Sequence, residues 1–283
     1  MEPWLDGFVL IKSIDDQLDG DALKLEREVQ LWLAGTGHVP LVYDNEIALI
    51  LPGYTPRPGI MIEEYIQGEE LYKIKASCEL YFTIGSAVRK CHDVPISSMP
   101  EALKKQLSND YLSEVGTYDP IPIMKSFFEE AMDLGRIGSS QQQRIEALRS
   151  AAYIELMNVR PLFLENALPV LIHADLSLAN MLVEHKTGAL KIIDWIDARL
   201  DTPSCDVAQF LWLSNATDEL KEAFLRGYGP TWITPSALHA HFLLIVLYEI
   251  GRSVVFRAEL GEVLVEEKWL SLAEQLVGSR PRE

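Results

Sequence analysis

Apolar residues in the first 70 positions fall in short runs of strand length. Residues 8–12 read FVLIK, residues 41–43 and 47–51 (LVY and IALIL) flank a DNE turn that predicts a hairpin, and residues 60–66 read IMIEEYI. Between the first two runs Leu25, Val29, Trp32 and Leu33 recur at helical spacing, with Asp21 placed to cap the helix and Gly35 to end it. After Gly68 the helical period takes over, predicting helices near 76–93, 101–115, 121–135 and 139–159 between Pro- and Gly-containing turns. Strand character returns only at 170–172, 181–183 and 190–193, and helices that include 219–228 and 237–257 close the chain. The pattern predicts an α+β fold of two lobes. A small sheet with one helix spans residues 1–66, a larger and mainly helical lobe spans 67–283, and a linker near 64–70 joins them.

The polar positions that break the late strands carry the chemistry. The stretch LIHADLSLANMLVEHKTGALKIIDW, residues 171–195, puts His173, Asp175, Asn180 and Asp194 at the edges of otherwise buried runs. A Lys-Thr-Gly turn folds the two strands back on each other, which lets Asn180 and Asp194 face one pocket as oxygen ligands for Mg²⁺. Asp175 then stands at the pocket mouth, where a base accepts a hydroxyl proton. Phosphoryl transfer needs this set, since metal ions meet the charge on the transferred group while one residue orients the attacking hydroxyl. The spacing His-x-Asp-x(4)-Asn with an apolar-apolar-Asp about 14 residues on matches the catalytic loop and metal-binding Asp of kinase-like enzymes. A competing reading takes His173 and Asp175 as ligands in a metal-dependent hydrolase.

Composition narrows the partners. The 283-residue chain is 48% hydrophobic, long enough for a sizeable core, and its formal charge of −17 with a pI near 4.8 argues against a general nucleic-acid binder. The same charge suits a cationic small molecule. Cys78, Cys91 and Cys205 lack the number and spacing of a disulfide scaffold or zinc cluster. The apolar stretch near 237–250 is interrupted by His239, His241 and Glu249, so no membrane span is expected, and MEPWLDGFVLIKS shows no signal-peptide pattern. A cytoplasmic location is the expectation.

The segments IHADLSLANMLV and LKIIDWIDARLDTPSCDVAQFLW resemble the phosphotransferase family that includes aminoglycoside and choline kinases. Its pattern runs His-Gly-Asp-Leu-x(3)-Asn, then Ile-Asp-Trp, then Asp-Pro-x-x-Asp-Leu-Ala, and here Ala174 replaces the usual Gly. The resemblance implies a protein-kinase-like fold and transfer of the γ-phosphoryl group of ATP, with Mg²⁺, to a hydroxyl of an aminoglycoside or other amine-bearing alcohol. It makes Asp175 the catalytic base and Asn180 and Asp194 the Mg²⁺ holders. His173 orders the loop, and Asp206 braces it from the following helix. A protein kinase is disfavoured, because the 12 positions from Asp194 to Asp206 leave no room for an activation loop.

Upstream, Glu28 sits within the apolar stripe of the first helix, and a buried carboxylate needs a partner. Lys12, 16 residues earlier, is that partner in this reading, and a Lys–Glu ion pair is what kinase-like enzymes use to position the nucleotide phosphates. Residues 63–66 resemble the hinge that presents backbone groups to adenine, with Glu64 and Ile66 as the contacts, and Gly68 resembles the family's turn after it. AVRKCHDVP resembles the helix that usually ends Leu-His, with Cys91 in place of Leu. Only eleven residues precede Lys12 and no Gly-rich loop is visible, so the expectation is that either Met1 is not the full natural start or the upper lobe is abbreviated. That departure motivates the alternative function, a non-catalytic, kinase-like binding or scaffold protein. Substrate recognition is expected from the helical region 97–165, which carries Glu129, Glu130 and Asp133.

Overall fold

The computed structural model describes residues 9–13, 17–43, 60–107, 139–164, 169–229, 233–257 and 265–278. The predicted hairpin turn at 44–46, its second strand, the helix at 121–135 and the acidic residues Glu129, Glu130 and Asp133 lie outside them. In chain order the elements are β1 (Val9–Ser13), α1 (Gln17–Leu33), β2 (Ile60–Glu64), β3 (Gly68–Glu70), α2 (Cys78–His92), α3 (Glu101–Leu107), α4 (Ser139–Leu164), β4 (Val170–Ile172), β5 (Met181–Glu184), β6 (Leu190–Ile192), β7 (Arg199–Asp201), α5 (Pro203–Leu213), α6 (Asp218–Tyr228), α7 (Pro235–Arg257) and α8 (Glu267–Gly278). Described residues within 1–109, 170–200 and 213–231 form one compact unit, and those within 110–169, 201–212 and 232–283 form a second.

In the first unit β1 and β2 pair antiparallel, with Lys12 opposite Met61 and Leu10 opposite Glu63. Because successive strand side chains alternate faces, Met61 and Glu63 share the buried side with Lys12 diagonal to Glu63. Helix α1 begins four residues before Asp21, which therefore lies inside it instead of capping it. Nor does Gly35 end the helix. The coil continues through a 3₁₀ turn, Ala34–Thr36, in which Thr36 Oγ1 donates to Leu33 O (2.8 Å), and Gly37 takes the left-handed exit at φ 74°.

A second sheet of this unit has the order β3-β5-β6, antiparallel throughout. Gly68 is required where β3 meets β5, since a Cβ there would lie 2.6 Å from Val183 O. β4 pairs with β7. Helices α2 and α6 are capped by Ser77 and Thr217, whose hydroxyls accept from Leu80 N (3.2 Å) and Leu220 N (3.4 Å). They pack backbone to backbone through Gly85 and Gly227. His92 Nδ1 and Tyr228 Oη share a buried hydrogen bond of 2.8 Å between the same two helices.

In the second unit α4, α7 and α8 enclose a core that includes Ile145, Leu148, Leu156, Leu243, Leu247 and Leu270, with Trp212 of α5 tilted against Trp269 at 5.6 Å. His241 donates from Nδ1 to Ala237 O (2.9 Å) and accepts at Nε2 from Thr202 Oγ1 (3.1 Å), so it is a satisfied core residue. Asp206, in the first turn of α5, is buried. Among the described residues no helix is long and apolar enough to cross a membrane.

Candidate active site

The predicted polar set gathers in the first unit around two short loops. β4 ends at Ile172, and the chain then turns sharply because Ala174 adopts φ 65°. His173 stabilises this turn from beneath. Its Nε2–H donates to Ile193 O (2.8 Å), while its Nδ1 accepts the Asp175 N–H (3.2 Å). These two bonds fix the tautomer and use both ring nitrogens. His173 therefore has no lone pair to offer a metal, which removes the hydrolase reading, and its support role follows from geometry. The Trp195 ring, at 4.7 Å, packs against the imidazole.

Asn180 closes the loop on itself. Its Nδ2 donates to both Asp175 O (2.9 Å) and Asp175 Oδ2 (2.8 Å), and its own backbone O accepts from Ile193 N (3.0 Å). With both amide hydrogens so held, Asn180 Oδ1 is the free end, and among the described residues it takes no hydrogen bond. Asp194, directly after Ile193, sits in the left-handed region at φ 66°, ψ 60°. That conformation is costly for an L-residue and recurs at functional sites. Its carboxylate likewise has no hydrogen-bond donor among the described residues. An amide oxygen and a carboxylate left unclaimed on interlocked loops are the hard oxygen donors that suit Mg²⁺.

Ala174 offers a direct check on this turn. A left-handed alanine costs roughly 1–2 kcal/mol, whereas adding a glycine to the unfolded chain costs roughly 0.4–1 kcal/mol. Ala174→Gly is expected to raise the unfolding free energy by about 0.5–1 kcal/mol in a urea titration. A loss of stability instead would show that the alanine methyl is needed for packing.

The upstream pair departs from expectation. Lys12 Nζ lies 2.7 Å from Glu26 Oε1, not against Glu28. Glu26 is 1% exposed, whereas the Glu28 side chain is 35% exposed and turns to Arg27 at 3.2 Å. The correction is a matter of helix phase. α1 buries Leu23, Glu26, Val29, Gln30 and Leu33, and residues 26 and 28 point about 200° apart around a helix. Two polar residues, Glu26 and Gln30, interrupt the buried line, so a search for apolar spacing slides to the neighbouring face.

Glu26 Oε1 collects three donors: Lys12 Nζ, Gln30 Nε2 (3.2 Å) and the backbone N–H of Trp195 (3.3 Å). The last bond ties α1 to the residue that follows Asp194, so Lys12 and the Asp194 loop share one carboxylate. Lys12 also meets Glu63 Oε1 at 3.1 Å. Burial alone would lower the Lys12 pKa, yet the Glu26 and Glu63 carboxylates outweigh it and hold the ammonium above the ordinary lysine value. Burial pushes the Glu63 carboxyl up, only partly offset by Lys12.

At the hinge, Glu64 donates its N–H to Leu41 O (2.7 Å) and so has no amide to offer a base. Its carboxylate accepts from Leu41 N (3.2 Å) and from the buried Lys191 Nζ (3.3 Å), a residue with no sequence signal of its own beyond a charge in a strand. The Ile66 N–H enters no backbone hydrogen bond among the described residues. Glu26, Gln30, Glu63 and Lys191 are the polar neighbours of Lys12 and Glu64 to which pattern reading gave no such contact.

A model of the phosphotransferase enzyme family matches residues 14–240. The chain belongs to this phosphotransferase family. Among solved structures it is similar to a choline/ethanolamine kinase family protein from Mesorhizobium loti, with TM-score 0.62 and 14% identity over 96% of this chain and 83% of that one. It is also similar to the choline kinase LicA from Streptococcus pneumoniae, with TM-score 0.61 and 16% identity over 96% and 86% of the two chains. A third likeness is to APH(2")-IIa in its ternary complex with streptomycin and ATP, with TM-score 0.61 and 16% identity over 94% and 84%. These likenesses show that the phosphotransferase has the protein-kinase-like α+β fold. No curated protein sequence matches it significantly.

Proposed function

We propose that this phosphotransferase is an ATP- and Mg²⁺-dependent kinase of a small-molecule hydroxyl, with Asp175 as the base and residues 1–66 contributing the nucleotide-binding lobe. The observation that carries this reading is the Asn180 amide, which binds Asp175 through its nitrogen and leaves its oxygen without a hydrogen bond among the described residues. One side chain thereby orients the base and completes, with Asp194, a pair of oxygen donors for the metal. Bound Mg²⁺ would neutralise charge on the nucleotide phosphates.

The chain's own residues do the rest. Asp175 Oδ1, the carboxylate oxygen opposite the one held by Asn180, accepts the proton of the attacking hydroxyl and so raises its nucleophilicity. Lys12, anchored by Glu26, presents its ammonium to the phosphates, and Ile66 offers its N–H to the base of the nucleotide. The net charge of −17 supports an acceptor that carries an amine, such as an aminoglycoside or a choline-like alcohol. Relatives in the solved structures whose complexes contain ATP, ADP or AMP support the nucleotide assignment by analogy.

The test pairs binding with turnover. ATP is expected to raise the melting temperature only when Mg²⁺ is present, the shift is expected to vanish in Asp194→Ala, and a screen of hydroxylated amines is expected to yield at least one acceptor that drives ATP consumption. Stabilisation without turnover on any acceptor would favour the scaffold reading, and no Mg²⁺-dependent stabilisation at all would sink the nucleotide assignment.

A further inference from the structure

The paired carboxylates around Lys12 are unequal. Glu26 Oε1 has three donors and is well served as an anion. Glu63 is 2% exposed, its Oε1 has only Lys12 at 3.1 Å, and its Oε2 is buried with no partner among the described residues. Gln30 lies against Glu63 and on its own favours the anion, whereas burial favours the acid. A buried carboxylate oxygen without a donor costs free energy, and the cost is largest when the group is charged. One proton on Glu63 Oε2 removes that buried charge.

Charge balance gives the same answer. One ammonium cannot neutralise two buried carboxylates, and the charged groups that face Glu63 are Lys12 from β1 and Glu26 from α1. With both glutamates ionised the cluster carries a net negative charge, which opposes the approach of any anion to Lys12. With Glu63 neutral the Lys12–Glu26 pair is balanced. An ammonium has three N–H groups, and Glu26 and Glu63 engage two, which leaves the third for a phosphate oxygen.

We propose that Glu63 is a second positioning residue for the phosphate-binding lysine, held as an uncharged acid that steadies Lys12 through Oε1. The proposal rests on the reading that Lys12 meets nucleotide phosphates. Burial, which pushes the Glu63 carboxyl up, acts in the same direction as the geometry. A raised folded-state pKa means that the folded protein holds the proton longer than the unfolded chain. Stability is therefore lost as pH rises from the ordinary glutamate range through the raised value, and so is affinity for phosphate.

Three variants separate the parts. The protein, Glu63→Gln and Glu63→Ala are compared in ADP binding by calorimetry and in melting temperature, each from mildly acidic to mildly alkaline pH. Glutamine mimics the neutral acid, since it is uncharged and its oxygen can accept from Lys12. Above the Glu63 pKa the wild-type dissociation constant is expected to rise about tenfold per pH unit relative to Glu63→Gln, as one coupled proton requires. Glu63→Ala is expected to bind ADP about tenfold more weakly than Glu63→Gln at every pH, the loss of one hydrogen bond to a charged group. The wild-type melting temperature is expected to fall with rising pH relative to Glu63→Gln.

If Glu63→Gln binds as weakly as Glu63→Ala, or if wild type and Glu63→Gln share one pH profile in both readouts, the proposal is overturned. If the melting profiles diverge as expected while no variant binds nucleotide, the protonated glutamate stands and the functional reading of Lys12 falls instead.

Discussion

Asp175→Asn is expected to lower kcat by roughly 10²- to 10⁴-fold, the range for loss of a positioned general base, and to change nucleotide affinity far less. The substitution is nearly isosteric. Residue 175 can still turn an oxygen to the Asn180 Nδ2–H, the bond that measures 2.8 Å, so the loop keeps its shape while the proton acceptor is lost. The loss is read in steady-state kinetics with the acceptor found in the screen, beside calorimetric binding of ADP. Turnover within a few-fold of wild type would remove Asp175 from the mechanism. A comparable collapse of kcat and nucleotide binding together would instead show that the loop had unfolded. Asp194→Ala provides the contrast, since its loss is expected to fall on the Mg²⁺ requirement as well as on rate.

Gly227→Ala is expected to destabilise the first unit by about 1–2 kcal/mol, although helix propensity alone points the other way. Alanine in a helix interior is worth about 1 kcal/mol over glycine. Against this, a methyl at residue 227 falls deep inside contact distance of the Phe82 carbonyl oxygen, and the obstacle is backbone, which no rotamer change can move. Overpacking a tight contact costs roughly 1–3 kcal/mol and occasionally more, so the clash wins. The facing position repeats the arrangement, since a methyl at Gly85 would come within 2.8 Å of Tyr228 N and closer still to the Phe224 carbonyl. The pair sets the closest approach of α2 and α6, on which the buried His92–Tyr228 bond depends. Thermal or urea unfolding of Gly227→Ala gives the answer. A variant more stable than wild type would mean that the helices do not cross at these residues.

Much of the candidate site was readable before any coordinates. His173, Asp175, Asn180 and Asp194 lie within 22 residues on a strand–turn–strand segment, and over so short a span local backbone geometry settles which side chains meet. For the same reason the strand limits at 170–172 and 190–192 and the helix at 218–228 fall within a residue or so of expectation. Lys12 was legible as a charge ending a buried run. The Ala174 substitution was legible too, but not its cost, which follows from a dihedral angle.

What tertiary structure alone decided is which distant partners complete the site. Glu26 and Glu28 are the same residue type two positions apart, and a rotation of α1 about its own axis exchanges them. Only the packing of Leu23, Val29 and Leu33 chooses the face, and that choice hands Lys12 to Glu26. Glu63 joins them because the β1–β2 register puts it diagonal to Lys12, and register across some 50 residues of intervening chain carries no local signature. Lys191 reaches Glu64 for the same reason. Short-range sequence determined the candidate site loops of this phosphotransferase, since a short span of chain holds them together. The electrostatic setting of its lysine was left to the fold, because it is made by residues that meet only when separate strands and a helix share one buried space.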